Sequence, residues 1–138
     1  MDGFLGKFSP RIYAILRVVV GLLFACHGAQ KLFGILGGFG GEAGATAPLF
    51  SLMGAAGVIE FFGGLLIALG FLAGWVAFIA SGEMAAAYFM AHAPQGLIPV
   101  LNRGETAVLY CFVFLYIASQ GAGIWSIDGA LGKSKSAT

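Results

Sequence analysis

Four long apolar stretches separated by glycine- and proline-bearing segments set the pattern of this chain, over residues 12–33, 50–72, 75–91 and 106–124. A helix that crosses a bilayer needs about 20 mostly apolar residues to cover about 30 Å of hydrocarbon. The stretches fit that length, the third being the shortest. No segment alternates polar and apolar residues as the wall of a membrane barrel must. The pattern therefore predicts an all-α membrane protein, a bundle of four transmembrane helices forming a single domain over residues 1–138.

The breaks agree with that division. Pro10, Pro48, Pro94 and Pro99 all fall outside the four spans. Proline removes a backbone donor inside a helix but is tolerated at helix starts and in loops. Residues 34–49 carry six glycines and read as a loop, as do residues 92–105 with Pro94, Gly96, Pro99 and Gly104. Ala73-Gly74 reads as a tight turn, making the second and third spans an antiparallel hairpin. Span two holds Gly54, Gly57, Gly63, Gly64 and Gly70. Helices in lipid associate through close backbone approach, which small residues permit. Gly57, Glu60 and Gly64 share one helix face, and that face is expected to look into the bundle.

Composition reinforces the membrane reading. Hydrophobic residues make up 59% and charged residues 9%, with a mean hydropathy of +0.95. A soluble domain carries about 25% charged residues. A net charge of +1 provides no basic footprint for nucleic acid. Lys7, Arg11 and Arg17 precede the apolar run 18–26 in the manner of a leader peptide. Phe24 is bulky where a cleavage site prefers a small residue, and the apolar run continues past Cys26, so a retained span is expected. Lys7 and Arg11 at the start and Lys133 and Lys135 in the tail outweigh Lys31 and Arg103 on the other side. Basic residues favour the cytoplasm, which predicts both termini inside and a multi-pass protein of the inner (plasma) membrane.

With so few charges, each one inside a span is informative. Arg17, His27, Lys31, Glu60, Glu83 and Gln120 lie within or at the edge of spans. A charge at mid-bilayer costs roughly 3 kcal/mol or more, so such residues face a partner or a cavity. At about 1.5 Å rise per residue, His27 lies ~9 Å, Glu83 ~12 Å and Glu60 ~15 Å below the outer end of its span. They occupy similar depth on three helices. His27 and Lys31 are four residues apart and share a face. The functional reading is an outward-opening polar pocket, with His27, Glu60 and Glu83 inside and Lys31, His92 and Glu105 at its mouth. Histidine can relay protons or hydrogen-bond a carbonyl. The structural reading is that these groups bond one another and fix helix register. Arg17 and Lys31 have a plainer account, snorkelling to the two interfaces. Cys26 and Cys111 stand at a common depth; a redox pair and simple apolar filling both fit. No CxxC or metal-site spacing occurs, and His27 and His92 differ in height, which disfavours haem, so no metal is expected.

The residues together resemble the DoxX family of small bacterial and archaeal membrane proteins. The likeness runs from about residue 11 to 131. It rests on Arg17-Val-Val-Val-Gly21, on His27-Gly28-Ala-Gln-Lys31-Leu-Phe-Gly34, and on Glu60-Phe-Phe-Gly63-Gly64 with Gly70. Gly104-Glu105 and Gly121-Ala-Gly123-Ile-Trp-Ser126-Ile-Asp128 complete it. The resemblance implies a four-helix inner-membrane protein, with Arg17, His27, Lys31, Glu60 and Glu105 as its polar set. It implies a link to quinone-coupled sulfur oxidation or to membrane complexes handling thiol and oxidative stress, while the absence of a paired-thiol motif argues against direct disulfide chemistry. Three function classes follow. One is an accessory subunit of an oxidoreductase complex that binds a quinone head group or a small sulfur compound, with membrane or periplasmic redox proteins as partners. Another is a transporter of a small solute, ion or proton, working as a homo-oligomer. The last is a structural or assembly component of a membrane complex.

Overall fold

The computed structural model describes residues 3–133, which leaves Lys135 of the basic tail outside the described residues. Helix α1 spans Ser9–Phe33. It begins one turn earlier than the apolar pattern predicts, with Pro10 in the first turn, where no backbone donor is needed. It ends at Gly34, whose left-handed backbone (φ 67°) turns its N–H back onto the Gln30 carbonyl.

Helix α2 spans Leu52–Leu69; its N-cap Ser51 accepts the Gly54 N–H through its hydroxyl. Gly70, left-handed at φ 68°, closes the other end. Helix α3 follows at Ala73–Ala87 and continues through a wide turn, Tyr88–His92, and a tight one, Ala93–Gln95. The connection between α2 and α3 is thus Gly70-Phe71-Leu72 rather than the expected Ala73-Gly74. Ala73 already belongs to α3 and donates its N–H to Asp128 Oδ2 at 3.3 Å. That carboxylate sits at the positive end of the helix and satisfies a donor that would otherwise be orphaned.

The short helix α4, Pro99–Asn102, interrupts the expected loop after α3. Helix α5, Glu105–Gln120, stops four residues short of its predicted end at 124 because Gly121 (φ 76°, ψ −160°) leaves helical space. Helix α6, Ile127–Ala130, is one turn, with the Ser126 side chain accepting the Gly129 N–H.

Among the described residues the elements are all helical, with no strand. Three helical stretches are long and apolar enough to cross a membrane: Gly6–Phe33, Leu52–Leu69 and Ala73–Gln95, with mean hydropathies of 1.9, 2.0 and 1.2. Glu105–Gln120 is apolar but shorter, about 24 Å at 1.5 Å per residue.

The chain folds as two tightly joined helix pairs, α1 on α2 and α3 on α5. Glycine decides the first pair. A methyl at Gly64 would fall 2.5 Å from the Ala25 nitrogen and the Gly21 carbonyl oxygen. One at Gly28 would run into the backbone of Phe61. Gly57, Glu60 and Gly64 are all buried, so the face picked out by their spacing does look into the bundle. Between the pairs lies a core of Tyr13, Phe24, Ile67, Ala77, Ala80, Met84, Phe114 and Ile117.

Candidate functional site

At the end of the bundle away from the α2–α3 turn, four helices diverge around a cavity of about 360 Å³. Its walls come from the last turns of α1 (His27, Lys31), the first of α2 (Leu52, Met53, Ile59, Glu60), the end of α3 (Glu83, Ala86, Met90) and the start of α5 (Thr106, Tyr110). This volume sits at the low end of the roughly 300–1,000 Å³ of small-molecule sites, and the mostly apolar wall with few polar groups suits one.

The polar centre is built by helix spacing. Gly57 lies one turn before Glu60, and a methyl there would sit 3.0 Å from Lys31 Cβ. The missing side chain lets the Lys31 stem lie against α2 and carries its ammonium inward. Lys31 Nζ donates to Glu60 Oε2 at 2.6 Å, with the lysine side chain 19% and the glutamate 5% exposed. Glu83 on α3 is a near neighbour of both. Its Oε2 is buried with no hydrogen-bond partner. One ammonium and two carboxyls are therefore gathered in apolar surroundings, an arrangement that is electroneutral when one carboxyl holds a proton.

The sequence-predicted residues divide into two groups. His27, Lys31, Glu60, Glu83 and His92 all line the cavity. The partner of Glu60, however, is Lys31, which was placed at the mouth by counting residue heights; its long stem reaches deeper than its Cα. His27 is exposed on the cavity wall, edge-on to Tyr110 with ring centroids 6.1 Å apart. His92 packs at the rim beside Tyr88, with Nδ1 3.1 Å from the Asn102 carbonyl oxygen.

Glu105 and Arg17 fall outside the cavity. Glu105 is exposed as the first residue of α5, where a carboxylate meets the positive helix end; its neighbour Thr106 lines the wall instead. Arg17 does not snorkel. It is fully buried at the opposite end of the bundle. Its Nη1 donates to the Ile67 and Ala68 carbonyls at 2.9 and 2.8 Å, and its Nη2 to those of Ile124 and Trp125 at 3.3 and 2.7 Å. The guanidinium fork suits this geometry because its donors are held in one plane and point in two directions. Cys26 and Cys111 are both free thiols, the first exposed. Ser81 donates its hydroxyl to the Cys111 carbonyl at 2.8 Å.

Asn102 was not singled out from the sequence. It is buried, donates to the Gly96 carbonyl at 2.6 Å and to Tyr88 Oη at 3.2 Å, and accepts the Gly104 N–H at 2.8 Å. It thereby ties the segment after α3 into one piece beside the rim. An asparagine between a proline-led turn and a glycine was its only signal. Among the described residues, no three His, Cys, Asp or Glu side chains stand together as a metal site would require.

A family model described as DoxX matches residues 12–93, which takes in His27, Lys31, Glu60, Glu83 and His92 of the cavity but not Tyr110. A protein of Haemophilus influenzae, itself described as uncharacterized, is 41% identical over 127 residues, covering 90% of this chain and 93% of that protein. No solved structure matches the chain.

Proposed function

The chain belongs to the DoxX family of membrane proteins, and from that premise we propose that it binds a quinone head group in the cavity as an accessory subunit of membrane redox chemistry. The observation that carries the reading is the Lys31–Glu60 ion pair with the Glu83 carboxyl beside it, set in an apolar cavity. Ionisable side chains held within a membrane bundle are costly and are kept where they bind or move charge.

The donor set fits a quinone. His27 and Lys31 offer N–H groups to carbonyl oxygens, and Tyr110 lines the wall beside them. A bound quinone supplies the electron-accepting capacity that no side chain here possesses. The protein's own part is to orient the ring, to exclude water, and to hold a proton between Glu60 and Glu83 next to Lys31. Beneath the cavity Phe24, Ile67 and Phe114 are wholly buried. That packing supports a binding site closed at its inner end rather than a conduit for solutes.

The topology that goes with this reading is a single domain of four spans in the inner membrane. α5 is the shortest span, both termini lie in the cytoplasm, and the cavity is in the outer half. Redox proteins of the membrane or periplasm are the expected partners.

The test is a titration of purified protein in lipid nanodiscs with ubiquinone-1, read by quenching of tyrosine and tryptophan emission. His27→Ala and Glu60→Gln are expected to weaken binding at least tenfold without loss of membrane insertion. Unchanged affinity in both variants would reject the site.

A further inference from the structure

The cavity is not closed on all sides, and the position of its gap selects the kind of ligand. α2 and α3 are joined by only three residues, and although each packs mainly along a different partner, side chains of both line the cavity at its far end. The facing edges of this gap carry Leu52, Met53 and Ile59 on α2 and Ala86 and Met90 on α3. Every one of these side chains is apolar.

Depth distinguishes a lateral gap from an open top. Met53 and Met90, 38% and 59% exposed, stand near the helix ends and could face water or headgroups. Ala86 cannot. It lines the cavity and is exposed, yet it stands nine residues before the end of the helical stretch at Gln95. Through the wide and tight turns of residues 88–95 that is still more than two helical turns, on the order of 10 Å along the axis and inside the hydrocarbon. An opening at that depth meets acyl chains.

We infer that the α2–α3 gap is a lateral portal, and that the ligand is a membrane-dissolved quinone whose apolar tail lies in the gap while its ring meets Lys31, Glu60 and Glu83. The inference rests on the quinone reading and adds the tail and the route. Charge distribution supports it: the polar groups stand at the inner end of the slot, and only alanine, methionine, leucine and isoleucine line the way in. A polar solute crossing that wall would lose its hydration with nothing to replace it.

The experiment uses the whole protein in nanodiscs, with a decyl-tailed benzoquinone bearing a photoactivatable diazirine at the tail end. After illumination, labelled peptides are read by mass spectrometry. Label is expected on residues 52–59 and 86–90, and Ala86→Trp, an exposed position that tolerates bulk, is expected to cut it at least tenfold. Label falling on residues 34–49 or 93–104, with Ala86→Trp without effect, would show entry from the aqueous face and overturn the portal while leaving the ring site standing. Absence of specific label, together with no binding of ubiquinone-1, would remove the quinone reading itself and the portal with it.

Discussion

Cutting the Lys31–Glu60 pair from one side should be far more damaging than removing it altogether. The contact is short, at 2.6 Å, and both side chains are largely out of water. Lys31→Met leaves the Glu60 carboxyl buried without its cation. Breaking a buried pair in this way costs about 3–5 kcal/mol, and relief by protonation brings the expected loss to the lower end, about 3 kcal/mol. Glu60→Gln keeps an acceptor and strands the more exposed partner, whose stem can redirect the ammonium toward water, so about 1–2 kcal/mol is expected. The double variant Lys31→Met/Glu60→Leu removes both charges while roughly preserving volume and should cost about 1 kcal/mol or less. The coupling energy is then about 3 kcal/mol or more, well above what independent sites show. Reversible unfolding in mixed detergent micelles, titrated with dodecyl sulfate, measures all three. A double variant as unstable as the sum of the single ones would refute the claim that these two groups hold each other.

Other outcomes follow from single contacts. Gly64→Ala drives a methyl to 2.5 Å from the backbone of α1 and should cost about 2–3 kcal/mol by forcing the helices apart. Gly82→Ala, with open space around it, should be neutral or slightly stabilising in the same unfolding assay. Arg17→Lys replaces a fork serving four carbonyls with a single ammonium and should lose about 2–4 kcal/mol. Faster amide exchange in residues 121–131 would report the released segment. Asn102→Ala removes three hydrogen bonds from the segment after α3. It should speed proteolysis between residues 93 and 104 several-fold, with the rest of the bundle intact.

Helices were readable because lipid imposes length and because proline and glycine mark breaks. Gly34 ends its helix where the pattern ended it, whereas Gly70 closes α2 at Leu69, three residues before the predicted end at 72. The end of α5 was missed because the apolar run continues past Gly121; only the backbone conformation of that glycine reveals the stop. The cavity set was partly legible, since His27, Glu60 and Glu83 share a depth. Lys31 was misplaced because counting Cα heights ignores a four-carbon stem. Arg17 was misread for a deeper reason: its acceptors are backbone carbonyls, which every residue has and no pattern displays. The same holds for Asp128, whose role is to cap α3, a helix that begins 55 residues before it.

The four carbonyls around Arg17 come from stretches 50, 51, 107 and 108 residues further along the chain. While the first helix is being made, none of these acceptors exists. When the second helix is complete, the two bonds made by Nη1 are in place. The two bonds of Nη2 wait for Ile124 and Trp125, which follow α5 in the chain. A cation that costs several kcal/mol to leave bare in hydrocarbon thus makes the finished bundle conditional on a nearly complete chain. A product truncated before Ile124 would retain an unsatisfied charge in its first helix, a feature by which membrane quality control could distinguish it from the intact protein.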